Sequence, residues 1–375
     1  MQILLDIVFL AIGFLLLAKG ADFFVDGASS VARRFKIPQL VIGLTIVAMG
    51  TSMPEAAVSI QAALGGNADI SIGNVVGSNI LYILIILGIS SLVFPLLIQK
   101  STQRYEIPIV IGASILLLVL GFTGQIAWWG GVILLLAFAG YLTYLFFQAK
   151  NNKDEEEKVE IVDTKIYISA LLSVVGAIIA ICGQFYEQID NIYCLVSGLV
   201  LFVGFALFTI YLYIRSRKEN KVQEVELPIW KSLLFVAFGI AMIIFGSEFA
   251  VTSATSLALR AGLSESFIGL TIVALGTSLP ELFTSVSAAM KKNSDIAIGN
   301  IIGSNIFNIL FILGISSLIV PINFDPKFLI DTAISLGACV MLLVLTLKGR
   351  KLYRYGGAIL LLSYAGYFTY LLLSM

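Results

Sequence analysis

The sequence predicts an all-α polytopic membrane protein: two inverted five-helix repeats with a helix pair inserted between them, about 12 transmembrane helices in all. Three observations carry this: long unbroken apolar runs, a second half that copies the first, and basic residues confined to alternate loops. Of 375 residues, 59% are hydrophobic and only 12% charged, against roughly 25% charged in soluble domains. Mean hydropathy is +1.01. The apolar runs are continuous rather than alternating, which excludes a transmembrane barrel. The chain has no histidine, so imidazole metal sites and histidine-based catalysis are excluded. Its net charge of zero says nothing about partners, and no nucleic-acid partner is expected of such a membrane chain. Cys182, Cys194 and Cys339 have no CxxC spacing and read as small buried apolar residues.

Runs long enough to span occur near residues 3–25, 38–64, 70–95, 105–122 and 127–148. The first lacks a basic flank and a small-residue cleavage pattern, so it reads as a span rather than a signal peptide. A charged linker follows at 150–165, then apolar runs near 166–183 and 191–214. The last set lies near 230–252, 264–289, 296–320, 328–347 and 354–374. The expected division is therefore 1–149 as the first repeat, 150–229 as linkers and inserted pair, and 230–375 as the second repeat.

The two sets are copies. A shift of 226 residues lays 43–90 on 269–316 with 31 of 48 positions identical and no gap. Five spans is odd and the inserted pair is even, so the second copy enters the membrane inverted relative to the first. Basic residues agree. With both termini outside, the expected cytoplasmic loops hold 20 of the 23 Lys and Arg, as the positive-inside rule requires. Arg260 and Lys327 fall outside, and Lys19 lies within the first span. Inverted repeats are a mark of secondary transporters, whose site lies at the midplane between the copies.

Each copy carries one unusual stretch, GLTIVAMGTSMPE at 43–55 and GLTIVALGTSLPE at 269–281. Pro54 has no N–H and clashes with the carbonyl of Gly50, so the helix is expected to break around 48–50. Carbonyls freed in hydrocarbon need a partner, and a cation can be one. Ala48 and Ala274 would offer carbonyls, Thr51, Ser52, Thr277 and Ser278 hydroxyls, and Glu55 and Glu281 carboxylates. Two copies face to face make an all-oxygen cage with two negative charges, suited to hard cations such as calcium, magnesium and sodium. A buried carboxylate costs a few kcal/mol or more at the bilayer centre, so a matched pair beside matched proline breaks reads as a functional site. The next stretches, GNVVGSNILYI at 73–83 and GNIIGSNIFNI at 299–309, place Ser78 and Ser304 on one stripe and Asn79 and Asn305 on another. Their glycines, four apart, allow close helix approach. Asn308 lies one turn beyond Ser304, and Tyr82 is its counterpart. Asp22 and Glu248 are also matched and would either anchor at the interface or support the site. Asp26, Glu106 and Asp331 read as interface residues.

GTSMPE with GNVVGSNI, repeated as GTSLPE with GNIIGSNI, resembles the cation/calcium exchanger superfamily, nearest its prokaryotic sodium/calcium exchanger branch. The resemblance covers both five-span halves. It implies a diamond of cation positions reached alternately from either side, one taking calcium and its neighbours sodium. By position, Glu55 and Glu281 would be the central calcium ligands. Ala48, Ala274, Thr51, Ser52, Thr277, Ser278, Ser78 and Ser304 would line calcium or sodium positions. Asn308 would stand at the remaining corner, opposite Tyr82. Three departures follow. Tyr82 replaces a short polar residue, and a phenol is a bulkier and weaker ligand than an amide; alternatively it turns away into apolar packing. Asn308 stands where some members carry Asp. The pair at 166–214 is additional to the usual ten spans.

The function expected is a calcium/cation antiporter in a prokaryotic plasma membrane, with calcium and sodium as transported ions and no cofactor. Proton coupling is the alternative, although that branch typically opens its motif Gly-Asn rather than Gly-Thr-Ser. A channel is disfavoured, since paired buried carboxylates suit occlusion better than free flow. An enzyme has no nucleophile–base pair to work with. The expected partners are the lipid bilayer and the ions, calcium with sodium or protons.

Overall fold

The computed structural model describes residues 2–35, 37–65, 68–151, 228–260 and 274–374. One compact unit comprises residues 1–140 and 232–375, and a second comprises 141–231. The runs expected at 166–183 and 191–214 lie outside the described residues, as does the start of the run at 264–289.

The first half opens with α1 (Gln2–Arg34). At 1.5 Å per residue its 33 residues span about 50 Å, well beyond a hydrocarbon core of about 30 Å. It therefore continues past the run expected at 3–25. Next come α2 (Gln39–Thr51) and α3 (Met53–Leu64), a pair bent by 49°. After them stand α4 (residues 68–93), α5 (Thr102–Gly121) and α6 (Trp128–Asn151). The second half has α7 (Ile229–Arg260), a turn of helix at Ala274–Thr277, α8 (Leu279–Met290), α9 (Ser294–Ile319), α10 (Pro326–Leu347) and α11 (Arg354–Ser374). Among the described residues, seven helices are long and apolar enough to cross a membrane, or eight if the bent pair is one span.

The 226-residue offset recurs in the elements. α3 maps onto α8 with identical bounds, and α1 onto α7 with the same last residue and a start one residue later. Four two-residue strands, β1 (Leu96–Leu97), β2 (Gln125–Ile126), β3 (Ile322–Asn323) and β4 (Lys351–Leu352), follow it too. Each pairs antiparallel with a strand of the other half: Leu96 faces Leu352, and Ile126 faces Ile322. The offset turns the first pairing into the second, so the halves clasp each other through equivalent contacts.

The long helices α1 and α7 also cross through equivalent points. A methyl group on Gly13 would stand 2.8 Å from the Gly246 carbonyl, and one on Gly239 2.8 Å from the Gly20 carbonyl. Only hydrogen side chains permit such backbone approach, which replaces the hydrophobic drive that lipid does not supply.

The proline break falls later than the expected position at 48–50. Ala48–Thr51 is still helical, and the chain leaves helix at Ser52, with φ −84° and ψ 9°. Helix resumes at Met53 with Pro54 in its first turn. There the missing N–H is no loss, because first-turn donors have no intrahelical acceptor. The second copy does the same at Ser278, with φ −89° and ψ 0°. The Ala48 carbonyl is accordingly not freed: it accepts from the Ser52 backbone N–H at 3.0 Å.

Candidate cation-binding site

Both breaks deliver a carboxylate to the interior. Glu55 and Glu281 sit in the first turns of α3 and α8, and both are 0% exposed. They are electrostatic neighbours. Neither has an ion-pair partner among the described residues.

The hydrogen bonds around them cross between halves. Ser52 Oγ donates to Glu281 Oε1 at 2.7 Å. Its counterpart Ser278 lies beside Glu55, although its buried hydroxyl completes no hydrogen bond. Thr51 is buried at the end of α2, and its Oγ1 lies 3.1 Å from the Val47 carbonyl, 3.2 Å from that of Ala48 and 3.0 Å from Asn300 Oδ1. Ser304 Oγ reaches the Ala48 carbonyl at 3.4 Å and Glu281 Oε1 at 3.5 Å. Ser78 is buried at the matching place on α4. Thr277 is half-buried at the end of the Ala274–Thr277 turn.

Tyr82 does not turn away. It is 0% exposed, and its hydroxyl donates to Glu55 Oε1 at 2.7 Å. Asn308 behaves differently at the equivalent corner, where its Nδ2 donates to Asn79 Oδ1 at 3.1 Å. Both residues belong to π-helical segments, Tyr82–Ile86 and Phe307–Ile312. A wider turn of this kind re-aims side chains and is frequent at functional sites.

Near the carboxylates, Glu55 Oε2, Glu281 Oε2 and Asn308 Oδ1 are buried acceptors without a donor among the described residues. Buried polar atoms are normally paired, and an unpaired buried carboxylate is far more costly than an unpaired amide. A cation meets both needs. Among the described residues no three His, Cys, Asp or Glu side chains cluster as metal ligands. Beyond the two carboxylates, the available ligands are neutral oxygens.

Asn74 and Asn300 hold the carboxylate-bearing turns, a role not foreseen for them. Asn74 Nδ2 donates to the Glu55 carbonyl at 3.3 Å and to Ser59 Oγ at 2.9 Å. Asn300 Nδ2 donates to the Glu281 carbonyl at 3.4 Å and to Ser285 Oγ at 2.9 Å. The signal was present, since both Asn–Ser pairs are identical under the 226-residue offset.

The outlying acids separate. Asp22 accepts from Ser287 at 2.7 Å, and Lys291 pairs with Asp26 at 2.7 Å and Asp22 at 3.5 Å. This fastens α1 to the end of α8, away from the cage. Glu248 is exposed. Asp331 accepts from Tyr367 at 3.1 Å. Glu106, expected at the bilayer interface, is buried against the protein at the end of a π-helical turn, Thr102–Glu106.

The model of the family described as sodium/calcium exchanger protein matches this chain twice, over residues 5–147 and 231–373. The sodium/calcium exchanger MaX1 of Methanosarcina acetivorans is 30% identical over 99% of both chains. The protein CaxA of Alkalimonas amylolytica is 33% identical over 98% of both. Among solved structures, the sodium–calcium exchanger NCX_Mj, soaked with Na+ and Sr2+, aligns with a TM-score of 0.72 at 26% identity, covering 97% of each chain.

Proposed function

This chain belongs to the sodium/calcium exchanger protein family, a family of antiporters, and on that premise we propose that it moves calcium across the membrane in exchange for sodium. The observation that carries the proposal is the buried carboxylate pair Glu55 and Glu281, each with no cation partner among the described residues and one oxygen without a donor, presented by matched helix breaks in the two halves.

A calcium ion placed between the two carboxylates balances both charges and draws the remainder of its six to eight ligands from neutral oxygens. Thr51, Ser52, Ser78, Thr277, Ser278 and Ser304 supply hydroxyls, Ala48 and Ala274 carbonyls, and Asn308 an amide oxygen, with Tyr82 at the opposite corner. Sodium ions use the same carboxylates, so the two cargoes exclude each other. That exclusion is what exchange requires: each ion leaves only when the other can take its place. Proton coupling is the second reading, because a carboxylate lacking a countercharge can also be neutralised by a proton.

The proposed topology is two inverted five-span repeats, residues 1–149 and 230–375, joined by cytoplasmic linkers and a helix pair, giving twelve spans. Both termini face outward from a prokaryotic plasma membrane. The inserted pair is even in number and leaves the inversion intact. Alternating access then amounts to the halves exchanging conformations about the midplane site.

Calcium uptake into proteoliposomes under imposed sodium or proton gradients tests the coupling. Sodium-driven uptake is expected. Uptake driven only by protons would replace the sodium reading with the second one. Glu55→Gln and Glu281→Gln should each nearly abolish flux in a folded protein, and wild-type flux in either would overturn the site.

A further inference from the structure

The two halves repeat each other around the cage except at one corner, where Tyr82 faces the place that Asn308 holds in the second copy. The contacts differ as much as the residues. Asn308 gives its donor to Asn79 and leaves its Oδ1 bare. Tyr82 gives its only donor to Glu55 Oε1, at 2.7 Å, and is the largest fully buried side chain among the described residues. A phenol donating to a carboxylate is a strong, short, directional bond. It leaves Glu55 with one unpartnered oxygen, Oε2.

We propose that Tyr82 sets which divalent cations this site accepts, by holding Glu55 as a one-oxygen ligand and filling the corner with its ring. This rests on the cation-site reading above and deepens it. A carboxylate free on both oxygens can bind an ion through both, which raises the ligand count and suits larger ions. A carboxylate tied on one side binds through one oxygen and suits smaller ions. The buried ring prevents water from supplying the missing ligand. Calcium is served by the remaining oxygens, whereas barium, which needs more ligands and more room, is not. Tyr82 is thus a positioning residue for Glu55, and the wild-type cage is narrower than its two carboxylates alone would make it.

The test is equilibrium binding of Ca2+, Sr2+ and Ba2+ to purified protein, which does not depend on the coupling ion. Tyr82→Phe keeps the ring and removes only the donor. A hydrogen bond to a charged group corresponds to a change of roughly tenfold or more. The preference for Ca2+ over Ba2+ should therefore fall about tenfold, with Ca2+ affinity moving much less. An unchanged preference in Tyr82→Phe would overturn the inference and leave the exchanger reading standing. Failure of the wild-type protein to bind any divalent ion would overturn both. The unmodified protein gives a second readout, which stands even if the variant does not fold. Calcium-induced infrared difference bands of protein labelled with 13C-carboxylate glutamate should include a one-oxygen carboxylate signature. Two-oxygen signatures alone would refute the proposal.

Discussion

Gly303→Ala should damage the site without touching any candidate ligand. Gly303 lies on α9 where it crosses α2, and an added Cβ would stand 2.6 Å from the Leu44 carbonyl oxygen and 2.7 Å from Ala48 Cβ. Non-bonded carbons rest at about 3.5–4.0 Å, so the helices would have to part by roughly 0.8 Å. Interiors are close-packed and give little, and overpacking of this kind costs about 1–3 kcal/mol. The separation also acts on the cage. Thr51 Oγ1 lies 3.0 Å from Asn300 Oδ1, and Ser304 Oγ 3.4 Å from the Ala48 carbonyl. Lengthened by the same amount, the Thr51 contact would pass the limit of about 3.2 Å for a useful bond, and the Ser304 contact, already long, would be lost. With a loss of about 1.4 kcal/mol at the site, calcium affinity should fall roughly tenfold. The assay pairs thermal unfolding in detergent with calcium binding, and both should drop. Gly337→Ala is the control. No described atom lies within 4 Å of its Cβ position, and alanine is the better helix former by up to about 1 kcal/mol. Wild-type unfolding temperature and wild-type affinity in Gly303→Ala would refute the claim that backbone contact between α2 and α9 shapes the cage.

Asn300→Leu should weaken calcium binding more than Ser285→Ala, since Asn300 holds the Glu281 carbonyl and meets Thr51 as well as Ser285; equal effects in calcium titrations would show that only the Ser285 contact matters. Cysteine labelling in sealed cells, in a background free of native cysteines, should modify a cysteine introduced at Gln188 and spare one at Asn152. The reverse pattern would overturn the orientation drawn from the basic residues.

The membrane class, the copied halves and the identity of the carboxylate pair were legible in the residues alone. Each depends on local composition or on comparing the chain with itself. A glutamate beside a proline inside an apolar run is conspicuous wherever the helix goes, and the copy at 226 residues removes coincidence. Tertiary structure decided what those groups meet. Pro54 announces a break, but its position at Ser52 reflects the proline settling into a helix first turn, where it loses no hydrogen bond. Ser52 reaches Glu281 and Thr51 reaches Asn300 only because close-packed helices bring residues 229 and 249 apart into contact. Glu106 shows the limit from the other side. Near the end of an apolar run a carboxylate reads as an interface residue, and only the fold reveals that this one is also packed against protein, at the end of a π-helical turn. Tyr82 shows it again: the sequence marks it as the corner where the copies differ, and only the packed fold decides that its hydroxyl ends on Glu55. A side chain's type is local, whereas its partner depends on backbone paths that cross from one half of the chain to the other.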